Sequence, residues 1–143
     1  MFMDCYSLEE LDLSNLNFSL VDDMSFLFSE CYSLKIVNLP NIESNYLIDI
    51  KYMFLSCYSL EKINFKIFDA PFITSTFLMF YGCRSLTSLD LSNFKIPFIE
   101  DMAYTFMDCK HLKELNLTFF DTSLVTNMES MFNGCSFNIN KFI

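Results

Sequence analysis

CRSLTSLDLSNFKIPFIEDMAYTF, residues 83–106, covers 24 residues of one copy of a 26-residue repeat that runs through this 143-residue chain. The six cysteines of the sequence stand 26 positions apart. A phenylalanine precedes every cysteine by three residues, and a leucine follows each of the first five by three residues. A fixed period of this length is typical of solenoids and propellers. The repeat therefore constrains the fold before any local pattern is considered.

The first part of each copy has a strand pattern. Leu86, Leu89 and Leu91 give the spacing L-x-x-L-x-L, which is the strand segment of a leucine-rich repeat. The alternation at the last two leucines indicates a short strand with one buried face. Because the other copies carry apolar residues at the same positions, we expect these strands to stack in parallel.

The second part of each copy has a helix pattern. Residue types that cap helix N-termini stand eighteen positions after the cysteines, at Asp23, Asp49, Ser75, Asp101 and Asn127. Apolar residues follow one, four and five positions later in most copies, apart from Thr76 and Thr105, as on one buried helical face. We therefore predict an α/β repeat solenoid, a leucine-rich-repeat array with short parallel strands on one face and short helical segments on the other.

The chain is predicted to be one domain, residues 1–143, of about five and a half repeats. Only two glycines and three prolines punctuate it, so no linker is visible. Large apolar residues are expected to turn the corner after each strand, at Leu16, Ile42, Phe68, Phe94 and Phe120. Met1 stands in the same column as Met53, and no polar capping unit is recognisable at either end. We therefore expect an array truncated at both ends, with end-to-end self-association as a further expectation.

Composition and charge argue against a membrane span and against nucleic acid as a partner. Hydrophobic residues make up 52% of the chain, but polar residues interrupt every apolar run well before ~18 residues, so no direct membrane span is expected. The net charge is −9, and no stripe of lysine and arginine is present to neutralise phosphates, so no nucleic acid is expected as a partner. No export signal is visible in the chain.

The cysteine column has three possible interpretations. The column consists of Cys5, Cys31, Cys57, Cys83, Cys109 and Cys135. A disulfide framework would need local distortion, because stacked parallel side chains hold their Cβ atoms about 4.8 Å apart, beyond the usual ~3.8 Å. A zinc site would need clustered ligands, and His111 is the single histidine. The pattern favours a structural ladder of small buried thiols.

Two polar columns are candidates for a protein-binding surface. The first lies on the outward face of the strands and consists of Asp12, Asn38, Asn64, Asp90 and Asn116. The second consists of Tyr6, Tyr32 and Tyr58, directly after the first three cysteines. The first column could instead bond to itself and to water, and the second could be a packing ladder, although tyrosine is enriched at interface hot spots.

No catalytic constellation is recognisable. His111 has no column of acids or nucleophiles beside it, and the regular columns account for nearly every notable residue. We therefore predict that the protein is not an enzyme and that it has no catalytic residues, metal site or cofactor.

Two segments resemble a known family. MFYGCRSLTSLDLSNF from Met79 and FDTSLVTNMESMFNGCS from Phe120 resemble the BspA-type leucine-rich repeats of bacterial surface proteins and lipoproteins. The resemblance covers essentially the whole chain and implies a solenoid at the cell surface or outside the cell. It implies a protein ligand, with adhesion to host proteins or to other cells as the function. Copies two and three depart most from the motif.

Two classes of function follow. The first is a non-catalytic protein-binding module of a cell-surface protein. The alternative is an intracellular or self-assembling structural scaffold, since six apparently unpaired cysteines suit a reducing compartment. A truncated gene product without independent function is a further alternative.

Overall fold

The computed structural model of the protein describes residues 1–118 and 121–136 as a stack of coils, one coil per repeat. The strands are β1 (Glu10–Asp12), β2 (Ile36–Asn38), β3 (Ile42–Glu43), β4 (Lys62–Asn64), β5 (Phe68–Asp69), β6 (Ser88–Asp90), β7 (Phe94–Lys95) and β8 (Glu114–Asn116). Every pairing between strands is parallel and joins a residue to its counterpart 26 positions later, as Leu11 to Val37. The predicted period and the predicted parallel strand array are confirmed.

Backbone pairing runs along three lines of the solenoid. The predicted strand column forms the sheet β1-β2-β4 and the pair β6-β8. A second sheet, β3-β5-β7, lies at the corner after these strands. Parallel bridges between Asp23 and Asp49, Ser75 and Asp101, and Asp101 and Asn127 form the third line. The corner column is buried at Ile42, Phe68 and Phe94 but half exposed at Leu16, and Phe120 lies outside the described residues.

The predicted helical segments are wrong. None of residues 1–118 and 121–136 lies in a helix, and the segment after each capping residue is a series of turns. The capping chemistry itself is present, since the Asp23 carboxylate accepts a hydrogen bond from the amide of Ser25 at 2.7 Å. Three residues after Asp23, however, Phe26 has a φ of 54°, in the left-handed region, so the helix cannot continue.

Backbone amides in this segment alternate between two destinations. The amides of Met24, Phe26 and Phe28 donate to carbonyls of the next coil, at 2.9, 3.1 and 2.9 Å. The amides of Leu27 and Ser29 close local turns within the coil. A helix would direct all of these donors along its own axis. The turns therefore replace the helix because half of the amides serve the neighbouring coil.

A second left-handed position recurs directly before the cysteines. It is occupied by Asp4, Glu30, Ser56, Gly82, Asp108 and Gly134, with φ between 59° and 79°. In the turn that joins Phe28 to Cys31, the left-handed Glu30 is the third of four residues, as in a type II turn. At the four copies that carry a Cβ atom there, the left-handed conformation costs about 1 to 2 kcal/mol each. Hydrogen bonds between coils, each worth a net ~0.5 to 1.5 kcal/mol, offset this cost.

The core is built from columns of equivalent apolar side chains, one from each coil. The phenylalanine column of the repeat, Phe2, Phe28, Phe54, Phe80, Phe106 and Phe132, has ring centroids 5.1 to 5.6 Å apart and nearly parallel rings. The two threonines that interrupt the apolar pattern are also buried, and the hydroxyls of Thr76 and Thr105 lie 2.9 Å apart. Hydrogen bonding across the coils thus satisfies both hydroxyls. Within the described ranges, no helix exists that could cross a bilayer.

Candidate functional site

The strand-face ladder consists of Asp12, Asn38, Asn64, Asp90 and Asn116, each the last residue of its strand. The side-chain NH2 group of Asn64 donates to the side-chain oxygen of Asn38 in the preceding coil. Pro40 lies two positions after Asn38 and has no N–H, so no backbone amide at that position can donate to the Asn38 side chain. In the first copy, by contrast, the amide of Ser14 donates to Asp12 at 2.8 Å. The ladder therefore bonds partly to itself and partly to the turns that follow the strands.

The two carboxylates of this ladder are stabilised in their charged form. Hydrogen bonds from the hydroxyl and amide of Ser14 lower the pKa of Asp12. Hydrogen bonds from the amide and hydroxyl of Ser92 lower the pKa of Asp90. Both groups therefore present negative charge on the exposed strand face at neutral pH.

The tyrosine ladder consists of Tyr6, Tyr32 and Tyr58. Their rings stack across the first three coils with centroids 5.1 and 5.0 Å apart. The guanidinium of Arg84 lies over the Tyr58 ring, 4.4 Å from its centroid, so it continues the column as a cation–π partner. Tyr6 is 50% exposed and Tyr32 is 36% exposed, so the rings present an edge to solvent.

Tyr32, the central tyrosine of the ladder, is hydrogen-bonded to the carboxylate of Glu30. The hydroxyl of Tyr32 donates to a Glu30 carboxylate oxygen at 2.8 Å. This hydrogen bond raises the pKa of Tyr32 to about 12. The hydroxyl edge of the ladder is therefore uncharged and lies beside negative charge, an arrangement suited to cationic groups of a partner.

The cysteine ladder lies inside the coils. All six thiols are free, and Cys31, Cys57, Cys83 and Cys109 are buried. The Cys57 thiol donates to the Phe28 carbonyl of the preceding coil at 3.1 Å, and the same contact recurs along the column. Burial raises the pKa of Cys57, Cys83 and Cys109 well above the usual range. These thiols are poor nucleophiles in the folded protein.

His111 stands where earlier copies have serine. Its Nδ1 lies 2.6 Å from the Arg84 carbonyl oxygen, just as the Ser85 hydroxyl donates to the Tyr58 carbonyl at 2.8 Å. A carbonyl accepts only, so Nδ1 carries the proton in this contact. His111 therefore performs the local hydrogen bonding of the serine it replaces.

An exposed column of large apolar side chains was missed by the sequence analysis. It stands fifteen positions after the cysteines, and we call it the exposed ridge: Leu20, Tyr46, Phe72, Phe98 and Leu124. These side chains are between 46% and 78% exposed. The signal is visible in the aligned copies as SLV, NYL, PFI, PFI and SLV, but apolarity alone predicts burial.

Turn geometry places the ridge outside. The amide of Ile73 donates to the carbonyl of Ala70 at 3.2 Å and closes a turn whose second and third residues are Pro71 and Phe72. Ala70 and Ile73 are buried, whereas Phe72 at the corner points to solvent. Phe72 occupies the third position of this turn, which usually carries small or polar residues. The turn itself therefore does not require a large apolar side chain there.

Comparison with known proteins identifies both a family and a fold. The family model described as "Mycoplasma protein of unknown function, DUF285" matches residues 1–115 and 77–142. No curated protein matches the chain. The crystal structure of a leucine-rich repeat protein from Bacteroides ovatus ATCC 8483 has a TM-score of 0.51 and 21% identity, over 81% of this chain and 27% of that one. The chain thus spans about a quarter of that protein's length, and the likeness shows a shared leucine-rich-repeat fold.

Proposed function

The chain belongs to the DUF285 family and forms a leucine-rich-repeat solenoid, and we propose that it is a non-catalytic, repeat-based protein-binding module. One observation carries the proposal. Tyr6, Tyr32 and Tyr58 stack their rings in register across three coils, with Tyr6 and Tyr32 exposed and Tyr58 partly exposed. Rigid, stacked tyrosines lose little conformational entropy on binding and supply large contact areas.

The proposed binding surface combines the two columns predicted from the sequence. The tyrosine ladder supplies the anchoring contacts. The strand-face ladder adds directional polar groups and the negative charge of Asp12 and Asp90. The surface is therefore suited to a protein ligand that carries basic side chains.

A more specific form of the proposal concerns location. We propose that the module acts at the cell surface, in adhesion to host proteins or to other cells, as the resemblance of its repeats to BspA-type sequences implies. The alternative, an intracellular scaffold, rests on the six thiols. Because the central thiols are buried with raised pKa, they would resist oxidation outside the cell as well, so they do not favour either compartment.

A binding assay tests the function. The 143-residue chain is titrated against a panel of purified extracellular matrix and cell-surface proteins, beside the variant Tyr6→Ser/Tyr32→Ser/Tyr58→Ser. We expect saturable binding to at least one protein, weakened about tenfold or more in the variant. The absence of saturable binding to any protein of the panel would overturn the proposal.

A second experiment tests the location. Intact native cells are treated with protease and immunoblotted with antibody against this chain. Loss of the band on treatment would support a surface position. A band that survives, while a known surface protein is digested, would refute adhesion.

A further inference from the structure

The exposed ridge is bordered by acidic side chains on both sides. The residues three positions before it, exposed except for the partly exposed Asp69, are Asn17, Glu43, Asp69, Lys95 and Asp121. The residues two and three positions after it include acidic residues in the first, second and fourth coils and are uncharged in the third and fifth: Asp22, Asp23, Ile48, Asp49, Thr74, Ser75, Glu100, Asp101, Thr126 and Asn127. The two borders thus contain eight carboxylates, two of which are paired with lysines: Asp69 with Lys95 at 3.1 Å and Asp49 with Lys51 at 3.0 Å. The ridge is therefore an apolar strip within a negative field.

This charge pattern selects among occupants. A second copy of the chain placed ridge to ridge would bring two sets of acidic borders together, which is unfavourable. An anionic lipid surface would be repelled for the same reason. A protein segment with apolar side chains between lysines and arginines would match both the strip and its borders.

The spacing of the coils selects a conformation for that segment. Ring centroids at equivalent positions of neighbouring coils lie 4.2 to 5.6 Å apart, around the ~4.8 Å spacing of paired strands. An α-helix repeats every ~5.4 Å along its axis, so it presents one apolar side chain per coil. A strand repeats its face every ~6.6 Å and falls out of register within two or three coils.

We propose that the exposed ridge binds an amphipathic helix of a partner protein, with its apolar row along Leu20, Tyr46, Phe72, Phe98 and Leu124 and with Lys or Arg on both sides of that row. The inference rests on the proposed protein-binding function and adds a second surface, distinct from the tyrosine ladder, with a defined partner chemistry. The ridge side chains pack between neighbouring turns of the helix.

The test uses three synthetic peptides of equal length and the 143-residue chain. The first carries leucines in one helical row bordered by lysine and arginine. The second has the same composition in scrambled order, and the third replaces every basic residue by glutamate. Affinity is measured by calorimetry and peptide helicity by circular dichroism, for the wild type and for Tyr46→Ser/Phe72→Ser/Phe98→Ser. The matched control is Tyr6→Ser/Tyr32→Ser/Tyr58→Ser. Because both sets of side chains are solvent-accessible, both variants should fold, which chemical denaturation checks.

We expect the first peptide to bind and to gain helicity, and the other two to bind about tenfold more weakly or not at all. The ridge variant should lose about tenfold in affinity, and the tyrosine variant should bind as the wild type does. Equal binding by the ridge variant, or equal binding of the acidic peptide, would overturn the inference.

Two further measurements address the other occupants. Flotation with phosphatidylserine vesicles that the ridge variant abolishes would assign the ridge to lipid instead. Concentration-dependent dimerisation that the ridge variant abolishes would assign it to a second copy. Both variants are also measured against the protein panel. The proposal for the ridge and the proposal for the tyrosine ladder can therefore be refuted independently of each other.

Discussion

Individual residues in this solenoid occupy positions defined by the coil above and the coil below. The left-handed position before each cysteine is an example, because it accepts aspartate, glutamate, serine or glycine as long as the backbone amide reaches the next coil. Glycine adopts this conformation without strain, whereas a residue with a Cβ atom does not. Neighbouring repeats therefore provide matched pairs for measuring the strain.

The first prediction concerns Gly82. Gly82→Ala should lower the free energy of unfolding by about 1 kcal/mol, because the left-handed φ of 73° disfavours alanine. Steric clash does not cause the loss, since an added Cβ would lie 3.5 Å from the Tyr58 ring, an ordinary contact. Ser56→Gly, at the same position one coil earlier, should shift stability the other way. Urea denaturation measures both, and a stabilising Gly82→Ala would contradict the strain argument.

The second prediction concerns the buried thiols. Burial raises the pKa of Cys57, Cys83 and Cys109, so the folded protein keeps these thiols protonated where the unfolded chain, with a pKa of about 8.5, has lost the protons. The contribution of the buried, protonated thiols to the free energy of unfolding is fully present below about pH 8.5. It is lost as pH rises from there toward the pKa values of the thiols in the folded protein. Each thiol should contribute a decline of about 1.4 kcal/mol per pH unit in this range.

Denaturation between pH 7 and 10.5 under reducing conditions measures this decline. Cys83→Ala should be less stable than the wild type at pH 7, because it loses the thiol contact with the Phe54 carbonyl and part of the packing. Its stability should nevertheless fall less steeply above pH 9. Parallel profiles for the two proteins would show that ionisation of Cys83 is not linked to folding.

At the scale of elements, one seam interrupts the strand column. Strands β4 and β6 belong to separate sheets, although their repeats are consecutive. In other coils the residue after the strand donates to the next coil, as Leu39 does to Asn64 at 3.2 Å. Among the described residues, no such bond joins Phe65 to Asp90. Phe65 stands in a column of leucines, and its ring lies edge-on to Phe94 with centroids 4.7 Å apart. We attribute the separation of the two strands to this larger ring.

The third prediction follows from this seam. Phe65→Leu should let β4 and β6 pair, so amide hydrogen exchange of residue 65 and of Ser88 should slow, even if the smaller side chain leaves total stability little changed. Hydrogen exchange followed by mass spectrometry or NMR measures this. Leu39→Phe, which places a ring at the same position between β2 and β4, is the control and should accelerate exchange there. Unchanged exchange in Phe65→Leu would mean that another residue separates the strands.

At the scale of the whole molecule, stability is a sum over contacts between neighbouring coils. Each ring of the phenylalanine column packs against the rings of adjacent coils, so an interior coil makes two such interfaces. Phe80 is 1% exposed and stacks on both Phe54 and Phe106. Phe2 is half-buried and stacks on Phe28 alone among the described ring pairs.

The fourth prediction compares these two positions. Phe80→Ala should cost about 3 to 5 kcal/mol, a large fraction of the total stability of a domain of this size, and should broaden the unfolding transition by uncoupling the two halves of the array. Phe2→Ala should cost clearly less and leave the transition sharp. Urea denaturation followed by circular dichroism measures both. Equal losses at the two sites would argue against stability that adds up from coil to coil.

Much of the fold and of the candidate site was predictable because the repeat places equivalent residues in equivalent environments. The columns beginning at Cys5 and Leu8 predicted the period, and the spacing of Leu86, Leu89 and Leu91 predicted β6. The positions of the tyrosine and strand-face ladders also followed from the alignment of the copies. How the side chains of these ladders bond, as in the contact of Tyr32 with Glu30, did not follow, because it depends on rotamers and on neighbouring columns.

The sequence by itself determined the period, the parallel strands and the apolar columns of the core, since all three follow from what recurs every 26 residues. Only the tertiary structure decided that turns replace the predicted helices, because amides such as that of Phe26 bond to the neighbouring coil, and local propensity contains no information on such a partner. It also decided that the exposed ridge faces solvent. Apolar character favours burial of Phe72, but the turn between Ala70 and Ile73 turns its side chain outward, and backbone geometry prevails there over hydrophobicity.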